Sequence, residues 1–323
     1  MDQSVAIILL NWNGYDDTRD CMKSLEQLVD PNFHVYVVDN DSTDGSAEQL
    51  KKDKHDACYA YEWTYLQSPN NRGFAGGNNL AITRACANGH AFIWLLNNDT
   101  LVEPDSLTRL VEPMQTNPTL GITGSKIYFA DSNVLWFAGG KINARTGAHA
   151  HIGMRKQDNG QYNQAKKVNY IVGCSLLIRT EIVRGIGLLE EDYFLYYEDV
   201  DWNLRVRQKG WNIQYVPKSV IWHKVSQSVK SSELSALSTY YIIRNAYLMA
   251  TKFHKSSLQL RAKRRLVRNL FWYHLKILVR KQDQKRNRSA LIFQAATDAL
   301  KGKTGKYAAQ VKMETAYGAR KSS

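Results

Sequence analysis

The sequence has no apolar run approaching the ~18–20 residues that span a bilayer. The longest candidate, residues 270–279, is interrupted by His274 and Lys276. The opening MDQSVAIILLNW lacks the basic segment and apolar length that a signal peptide needs. Cysteine is scarce. Cys21, Cys58, Cys86 and Cys174 lie far apart and form no C-x-x-C pair, which argues against a zinc cluster or a disulfide framework and fits a reducing compartment. There is no repeat of solenoid length and no low-complexity tract. No G-x-G-x-x-G follows the first apolar run, which counts against a dinucleotide-dependent oxidoreductase. These absences together predict a cytosolic protein without a membrane span.

Acids are nearly missing from one region. From residue 251 onward, 19 Lys and Arg face only Asp283, Asp298 and Glu314, a balance of +16. The first 250 residues therefore carry −3 of the chain's +13. A near-neutral body with a strongly basic tail implies an anionic partner for the tail, with lipid head groups and nucleic acid the obvious classes.

What is present in the body is an alternation of buried strands and helices. Residues 5–10 form a continuous apolar run ending in Asn11-Trp12-Asn13-Gly14, as a buried parallel strand does. Residues 16–28 follow with helical spacing. A second strand, 35–38, runs into Asp39-Asn40-Asp41-Ser42, and a helix opens near Ser46. A short strand at 61–66, a helix at 76–88 and a fourth buried strand at 92–96, ending in Asn97-Asn98-Asp99, complete the pattern. Such alternation predicts a doubly wound α/β unit that gathers its polar residues at the strand C-terminal ends, where these sheets bind ligands. Residues 120–180 change to glycine-rich turns and short strands (127–129, 134–138, 168–172, 175–178), read as an added mixed-sheet half. Residues 190–210 read as helical and 213–222 as a last strand ending at His223. The pattern beyond about 232 is helical and basic.

Several segments carry chemistry, and each also has a plain structural reading. Asn97-Asn98-Asp99 ends a rigid strand and offers an oxygen ligand to Mg²⁺ or Mn²⁺, or simply an Asx turn. Asp39 to Gly45 places three acids in six residues, either to meet a nucleobase N3–H or to make a polar turn. Residues 71–79 allow close backbone approach through three glycines, with Arg72 available to phosphate. Glu198 and Asp199 follow the aromatic run 193–197, a setting for a general base or for a helix start favoured by acids. His223 closes a strand beside Trp222. His149 and His151 are read as mostly solvent-exposed in a Gly/Ala-rich loop.

Individually weak, these segments are specific in their order: Asn11-Trp-Asn-Gly14, Val38-Asp39-Asn40, Arg72-Gly-Phe-Ala-Gly-Gly-Asn78, Asn97-Asn-Asp99, Glu198-Asp199-Val-Asp201, Trp222-His223 and Tyr240-Tyr-Ile-Ile-Arg-Asn245. The series resembles the family 2 glycosyltransferases of GT-A fold, and within them the rhamnosyltransferase-like branch of polysaccharide assembly, over roughly residues 4–250. The resemblance implies a GT-A domain at 1–230, with a nucleotide-binding half (1–118) and an acceptor half (119–230), followed by a helical basic extension at 231–323. It implies a donor pocket drawn from Asn11, Asn13, Asp39, Asn40, Asp41, Arg72, Gly73, Phe74, Asn78, Asn97 and Asn98. Asp99 and His223 would hold a divalent metal, Mg²⁺ or Mn²⁺. Asp199 would be the base, with Glu198 beside it. Arg244 and Asn245 match a motif that implies no role. One departure is Asn97, a neutral amide where the family's D-x-D segment has its first acid.

The activity so implied is inverting transfer of a sugar, possibly rhamnose by resemblance, from a dTDP- or UDP-linked donor to a hydroxyl of a glycan or lipid-linked acceptor. A non-catalytic nucleotide-sugar-binding scaffold and a tail-mediated nucleic-acid binder are the alternatives. In the tail, residues 263–281 mix cations with large apolar side chains at helical spacing, as a helix lying in an anionic membrane interface does. Packing, an oligomer contact or nucleic acid would also use such a helix. The enzyme class favours membrane, through residues about 255–290, at the inner face of the plasma membrane.

Overall fold

The computed structural model describes residues 4–30, 32–143, 148–225, 236–253, 256–279 and 285–308. Its N-terminal half is the doubly wound unit. Strands β1 (Val5–Asn11), β2 (Phe33–Asp39), β3 (Trp63–Gln67) and β4 (Phe92–Leu96) lie parallel in the order β4-β1-β2-β3. Helices α1 (Tyr15–Leu25), α2 (Ser46–His55) and α3 (Gly73–Ala87) make the crossovers. Residues 5–9 of β1 and all of β4 are buried, as strands covered on both faces must be.

The sheet then continues past β4 with mixed direction. After β5 (Thr100–Val102) and α4 (Ser106–Thr116) come β6 (Leu120–Phe129), β7 (Leu135–Phe137), the two-stranded sheet of β8 (Gly140–Asn143) and β9 (Ala148–His151), and β10 (Lys166–Val168). β11 (Ser175–Arg179), α5 (Thr180–Ile186), α6 (Glu198–Gln208) and β12 (Asn212–His223) follow. β11 runs antiparallel to both β4 and β6, and β12 runs parallel to β6. Two reversals restore the original sense. The C-terminal ends of β1, β2, β4 and β12 therefore share one edge with the N-terminal end of β11.

Three expected elements differ. The strand expected at 127–129 begins at Leu120. Its glycines are packing cuts rather than turns: a Cβ on Gly124 would come within 2.2 Å of Ile171 Cγ2, and one on Gly121 within 2.6 Å of Ile182 Cδ1. The strand expected at 168–172 ends at Val168. The helix expected over 190–210 is an α-helix only from Glu198. A 3-10 turn at Glu191–Tyr193 and an irregular aromatic stretch precede it.

The basic extension forms α7 (Ala236–Lys252), α8 (Ser256–Val279) and α9 (Lys285–Leu300). It has its own apolar cluster, in which Tyr240, Tyr241 and Ile243 of α7 meet Leu266 and Ile277 of α8 and Ile292, Ala295 and Ala299 of α9. Phe194, from the stretch before α6, belongs to the same cluster. Among the described residues no helix is long and apolar enough to cross a membrane. All four cysteines are free thiols.

Candidate active site

At the shared edge, residues expected on the donor side form a continuous polar chain. The Asn98 amide donates to Thr18 Oγ1 at 2.8 Å, and that hydroxyl donates to Asn11 Oδ1 at 2.8 Å. The Asn11 amide in turn donates to Asp39 Oδ2 at 2.8 Å. Asp39 is fully buried. Its other oxygen accepts from the Ser42 N–H at 3.0 Å and from the Gln67 amide at 3.1 Å. A buried carboxylate held by this many donors is a rigid post for the loops around it. Asn40 binds the 71–73 loop: its amide donates to Gly73 O, and its Oδ1 accepts from the Arg72 N–H.

Other expected donor residues lie in different settings. Asn13 and Asp41 are exposed, with φ of 53° and 66°. The Asn78 amide donates to the carbonyl of Phe74, within its own helix. Arg72 makes a two-oxygen contact with Glu191, at 2.9 and 2.8 Å, so a phosphate reaching Arg72 would compete with that carboxylate. The sequence pattern did not single out Glu191 or Trp12. Trp12 is 45% exposed on the first loop, a large ring left open on a polar edge.

Asp99 and His223 meet as expected. Asp99 follows β4, His223 ends β12, and pairing of β5 with β12 sets His223 opposite Thr100. His223 Nε2 lies 3.0 Å from Asp99 Oδ1, with both side chains buried. Burial opposes the charge on His223, but neighbouring Cys174 and Asp99 outweigh it and raise its pKa well above the usual histidine value. The pair also suits a divalent ion. A carboxylate oxygen and an imidazole nitrogen are both ligands that such an ion would take. Among the described residues no three His, Cys, Asp or Glu side chains are arranged to hold a metal. The remaining ligands would have to come from substrate phosphate and water, as is usual for such ions.

The carboxylates of α6 lie across the same edge. Asp199 Oδ2 accepts from the Tyr170 hydroxyl at 2.7 Å and from the Gly173 N–H at 2.9 Å. Its Oδ1 accepts from the Val200 N–H at 2.7 Å. Glu198 is buried beside it. Burial first, and the Asp199 charge second, push the Glu198 pKa well above the carboxylate range. Glu198 Oε2 has no hydrogen-bond partner. Of the two acids, Glu198 is the one driven to the neutral form, and Asp199 is the one whose oxygens are surrounded by donors.

The loop that presents these acids is strained. Phe194, Tyr196 and Tyr197 have φ of 63°, 66° and 81°, a region in which each non-glycine residue costs ~1–3 kcal/mol. Arg244 and Asn245 of α7, both buried, hold it from outside the sheet. The Asn245 amide donates to Tyr193 O at 2.8 Å and to Leu195 O and Tyr196 O at 2.9 Å each. Arg244 donates to Tyr193 O at 3.0 Å, to Gly305 O at 2.7 Å and to Asn245 Oδ1 at 2.9 Å. The motif that carried no role in the sequence is thus a clamp on the backbone leading into Glu198-Asp199. The clamped loop touches the donor side as well. The Phe74 N–H donates to Phe194 O at 2.8 Å, and any Cβ on Gly73, where φ is 68°, would sit 2.1 Å from that oxygen.

His149 and His151 are half-buried rather than mostly solvent-exposed. The sheet of β8 and β9 folds onto the main sheet, so His149 packs on Tyr170 and Tyr197, and His151 on Trp136 and Phe137. Burial, then His149, lowers the His151 pKa to about 4.

Such a mixed sheet, with its carboxylates and imidazole on one edge, is the GT-A architecture. It has similar folds among solved structures. The mannosyltransferase PcManGT from Pyrobaculum calidifontis, in complex with GDP-Man and Mn²⁺, matches with a TM-score of 0.59 at 15% identity, over 92% of this chain and 86% of that one. Staphylococcus aureus TarS 1-349, in complex with UDP-GlcNAc, matches with a TM-score of 0.58 at 13% identity, over 92% and 81%. The family model of glycosyl transferase family 2 matches residues 4–187, and the chain belongs to that family. Among curated relatives, the poly-beta-1,6-N-acetyl-D-glucosamine synthase of Staphylococcus epidermidis is 23% identical over 228 residues, 70% of this chain and 51% of that protein. The corresponding synthase of Staphylococcus aureus strain MSSA476 is 25% identical over the same shares. The chain spans about half the length of these curated relatives.

Proposed function

We propose that this chain is an inverting glycosyltransferase that transfers a sugar from a dTDP- or UDP-linked donor to a hydroxyl of a glycan or lipid-linked acceptor in cell-surface polysaccharide synthesis. The sugar is proposed to be rhamnose. The observation that carries the reading is the placement of the Asp99–His223 pair and the hydrogen-bonded Asp199 on one sheet edge. Asp199 takes the proton from the acceptor hydroxyl as its oxygen forms a bond to C1. The C1–O bond to the diphosphate breaks on the opposite face, and the nucleoside diphosphate leaves. A single in-line displacement inverts the anomeric centre. Asp99 and His223 would hold Mg²⁺ or Mn²⁺, and such an ion would supply positive charge to offset that of the departing diphosphate. Asn97 adds no charge there. The buried Asp39 supports the loops that line the donor, and the exposed Trp12 offers a face for a nucleobase. Support also comes from relatives named as polysaccharide synthases, and from fold neighbours in complex with nucleotide sugars and, in one case, Mn²⁺.

The test is release of nucleoside diphosphate from a panel of dTDP- and UDP-sugars with Mn²⁺. The reading expects turnover with at least one donor. No release, together with no thermal stabilisation by any donor, would overturn it.

The extension is proposed to hold the enzyme on the inner, anionic face of the plasma membrane. On α8, Val267, Phe271, Trp272, Leu278 and Val279 are exposed among the cations Lys263, Arg264, Arg268 and Lys276. An apolar stripe with flanking cations suits a bilayer interface. Deleting the tail would also remove Tyr240's packing partners on α8 and α9, so the better probe is Phe271→Ser with Trp272→Ser. This variant is expected to lose co-sedimentation with phosphatidylglycerol vesicles. Unchanged sedimentation would remove α8 from that role.

A further inference from the structure

A groove of about 830 Å³ lies between the two-stranded sheet and the edge of the main sheet. That size is within the range of small-molecule sites, ~300–1,000 Å³. Its walls are the sheet of β8 and β9 on one side and β10, the outermost strand of the main sheet, on the other. Asn169 staples the two walls. Its Oδ1 accepts from the Ile142 N–H at 2.7 Å and its amide donates to Ile142 O at 2.9 Å.

The groove is basic. Lys141, Lys166 and Lys167 line it, and among the described residues none of the three has an ion-pair partner. Asp158, on the loop before β10, is taken by Lys126 at 2.7 Å. Lys166 is half-buried over the rings of Tyr162 and Tyr215. Burial, then the charge on Lys141, lowers its pKa. Lys141 and Lys167 are exposed and Lys166 is half-buried, so an anion beside Lys166 would relieve the repulsion between its charge and that of Lys141.

The groove also leads to the base. His149 of its wall stacks edge-on against Tyr197 at 5.0 Å and lies 5.4 Å from the ring of Tyr170. Tyr170 holds Asp199 through its hydroxyl. Tyr197 is also met by Arg265 of α8, whose Nη1 is buried with no hydrogen-bond partner. One end of the groove therefore stands a single aromatic ring from the carboxylate that would deprotonate the acceptor.

We propose that this groove is an acceptor subsite and that it takes a negatively charged glycan segment, through phosphate or carboxylate groups on Lys141, Lys166 and Lys167. The proposal rests on the glycosyltransferase reading above, and names the acceptor as an anionic saccharide rather than a neutral one. Neighbouring sugar hydroxyls would face His149 and the polar edge of β10, while the anion sits among the lysines.

The full chain is titrated with three labelled probes: tri-galacturonate for carboxylate, a glycerol phosphate trimer for phosphate, and neutral maltotriose. Two variants each remove two charges. Lys141→Gln with Lys167→Gln alters the groove, and Lys263→Gln with Arg264→Gln alters the exposed face of α8. The expected result is binding of at least one anionic probe in preference to maltotriose, about tenfold weaker in the groove variant and within about twofold of the parent in the α8 variant. The phosphate and carboxylate arms distinguish which anion the groove takes. Equal weakening in both variants would assign the anion to the basic extension and overturn the proposal. So would undiminished binding in the groove variant, or no preference for charge in the parent chain. Binding of UDP with Mn²⁺ to the parent chain, measured separately, reports on the glycosyltransferase reading, so either conclusion can fail without the other.

Discussion

The proposed donor side and the proposed base side of this site are built in opposite ways. The donor side is assembled from consecutive loops of one parallel sheet. Asn11, Asp39 and Asn98 follow or end neighbouring strands, and their side chains connect through Thr18. The base side sits on α6, behind an aromatic loop with three non-glycine residues at positive φ. That loop is secured by Arg244 and Asn245, which lie outside the sheet altogether. A parallel sheet aligns its own strand ends without help, whereas a strained loop persists only where other structure over-determines it. The extension is therefore more than a basic appendage. It is part of the support of the catalytic edge.

The contrast can be tested at its strongest point first. Asp199→Asn is expected to lower turnover by ~10²–10⁴-fold while donor affinity is kept. Steady-state rates with calorimetric donor binding check this, and retained turnover would remove Asp199 as the base. Asp99→Ala is next, with a loss of Mn²⁺-dependent donor affinity of about 100-fold, several kcal/mol of metal–phosphate interaction being at stake. Affinity equal to the parent with and without Mn²⁺ would sink the metal assignment.

Asn245→Ala separates the two sides. It leaves the carbonyls of Leu195 and Tyr196 without their side-chain donor, while Tyr193 O keeps Arg244, and should destabilise the fold by about 2 kcal/mol. It should lower kcat with little change in donor affinity, because the clamp holds the loop before α6 and touches the donor side only through the Phe74–Phe194 hydrogen bond. A fall in donor affinity equal to the fall in kcat would show that the two sides are one unit, joined through Gly73 and Phe194.

Glu198→Gln should have the smallest effect, and its sign depends on pH. A carboxyl whose folded pKa lies above its unfolded value binds more protons in the fold, so its contribution to stability falls as pH rises above the unfolded value of about 4.3. Replacing Glu198 removes that penalty. Thermal melts should show the variant gaining stability over the parent at pH 8 and matching it near pH 4. Equal differences at both pH values would mean that Glu198 is not held neutral.

Much of this was legible in the linear chain. Apolar runs ending in Asn, Asp and Ser mark β1, β2 and β4, because a strand buried on both faces has no room for polar residues until it leaves the sheet. Asp99 and Asp199 could be singled out since each sits at the end of a rigid element. Arg72 was legible only by type: the sequence shows a cation near a glycine loop and cannot show Glu191, 119 residues away, already on it. Gly121 and Gly124 read as turns because a glycine's local signal is permissive backbone, while their use here is to make room for Ile182 and Ile171. His149 and His151 read as exposed because the hairpin that buries them is set by long-range packing.

By itself the sequence determined the alternation of elements, the order of the site motifs and the concentration of positive charge beyond residue 250. These follow from local hydrophobic period and composition. Only the tertiary structure decided that Asp99 and His223 lie 3.0 Å apart, that Arg244 and Asn245 clamp a loop some fifty residues earlier, and that lysines of the two strands β8 and β10 share one groove. Each depends on strand reversal or helix docking between distant segments, which no local pattern specifies.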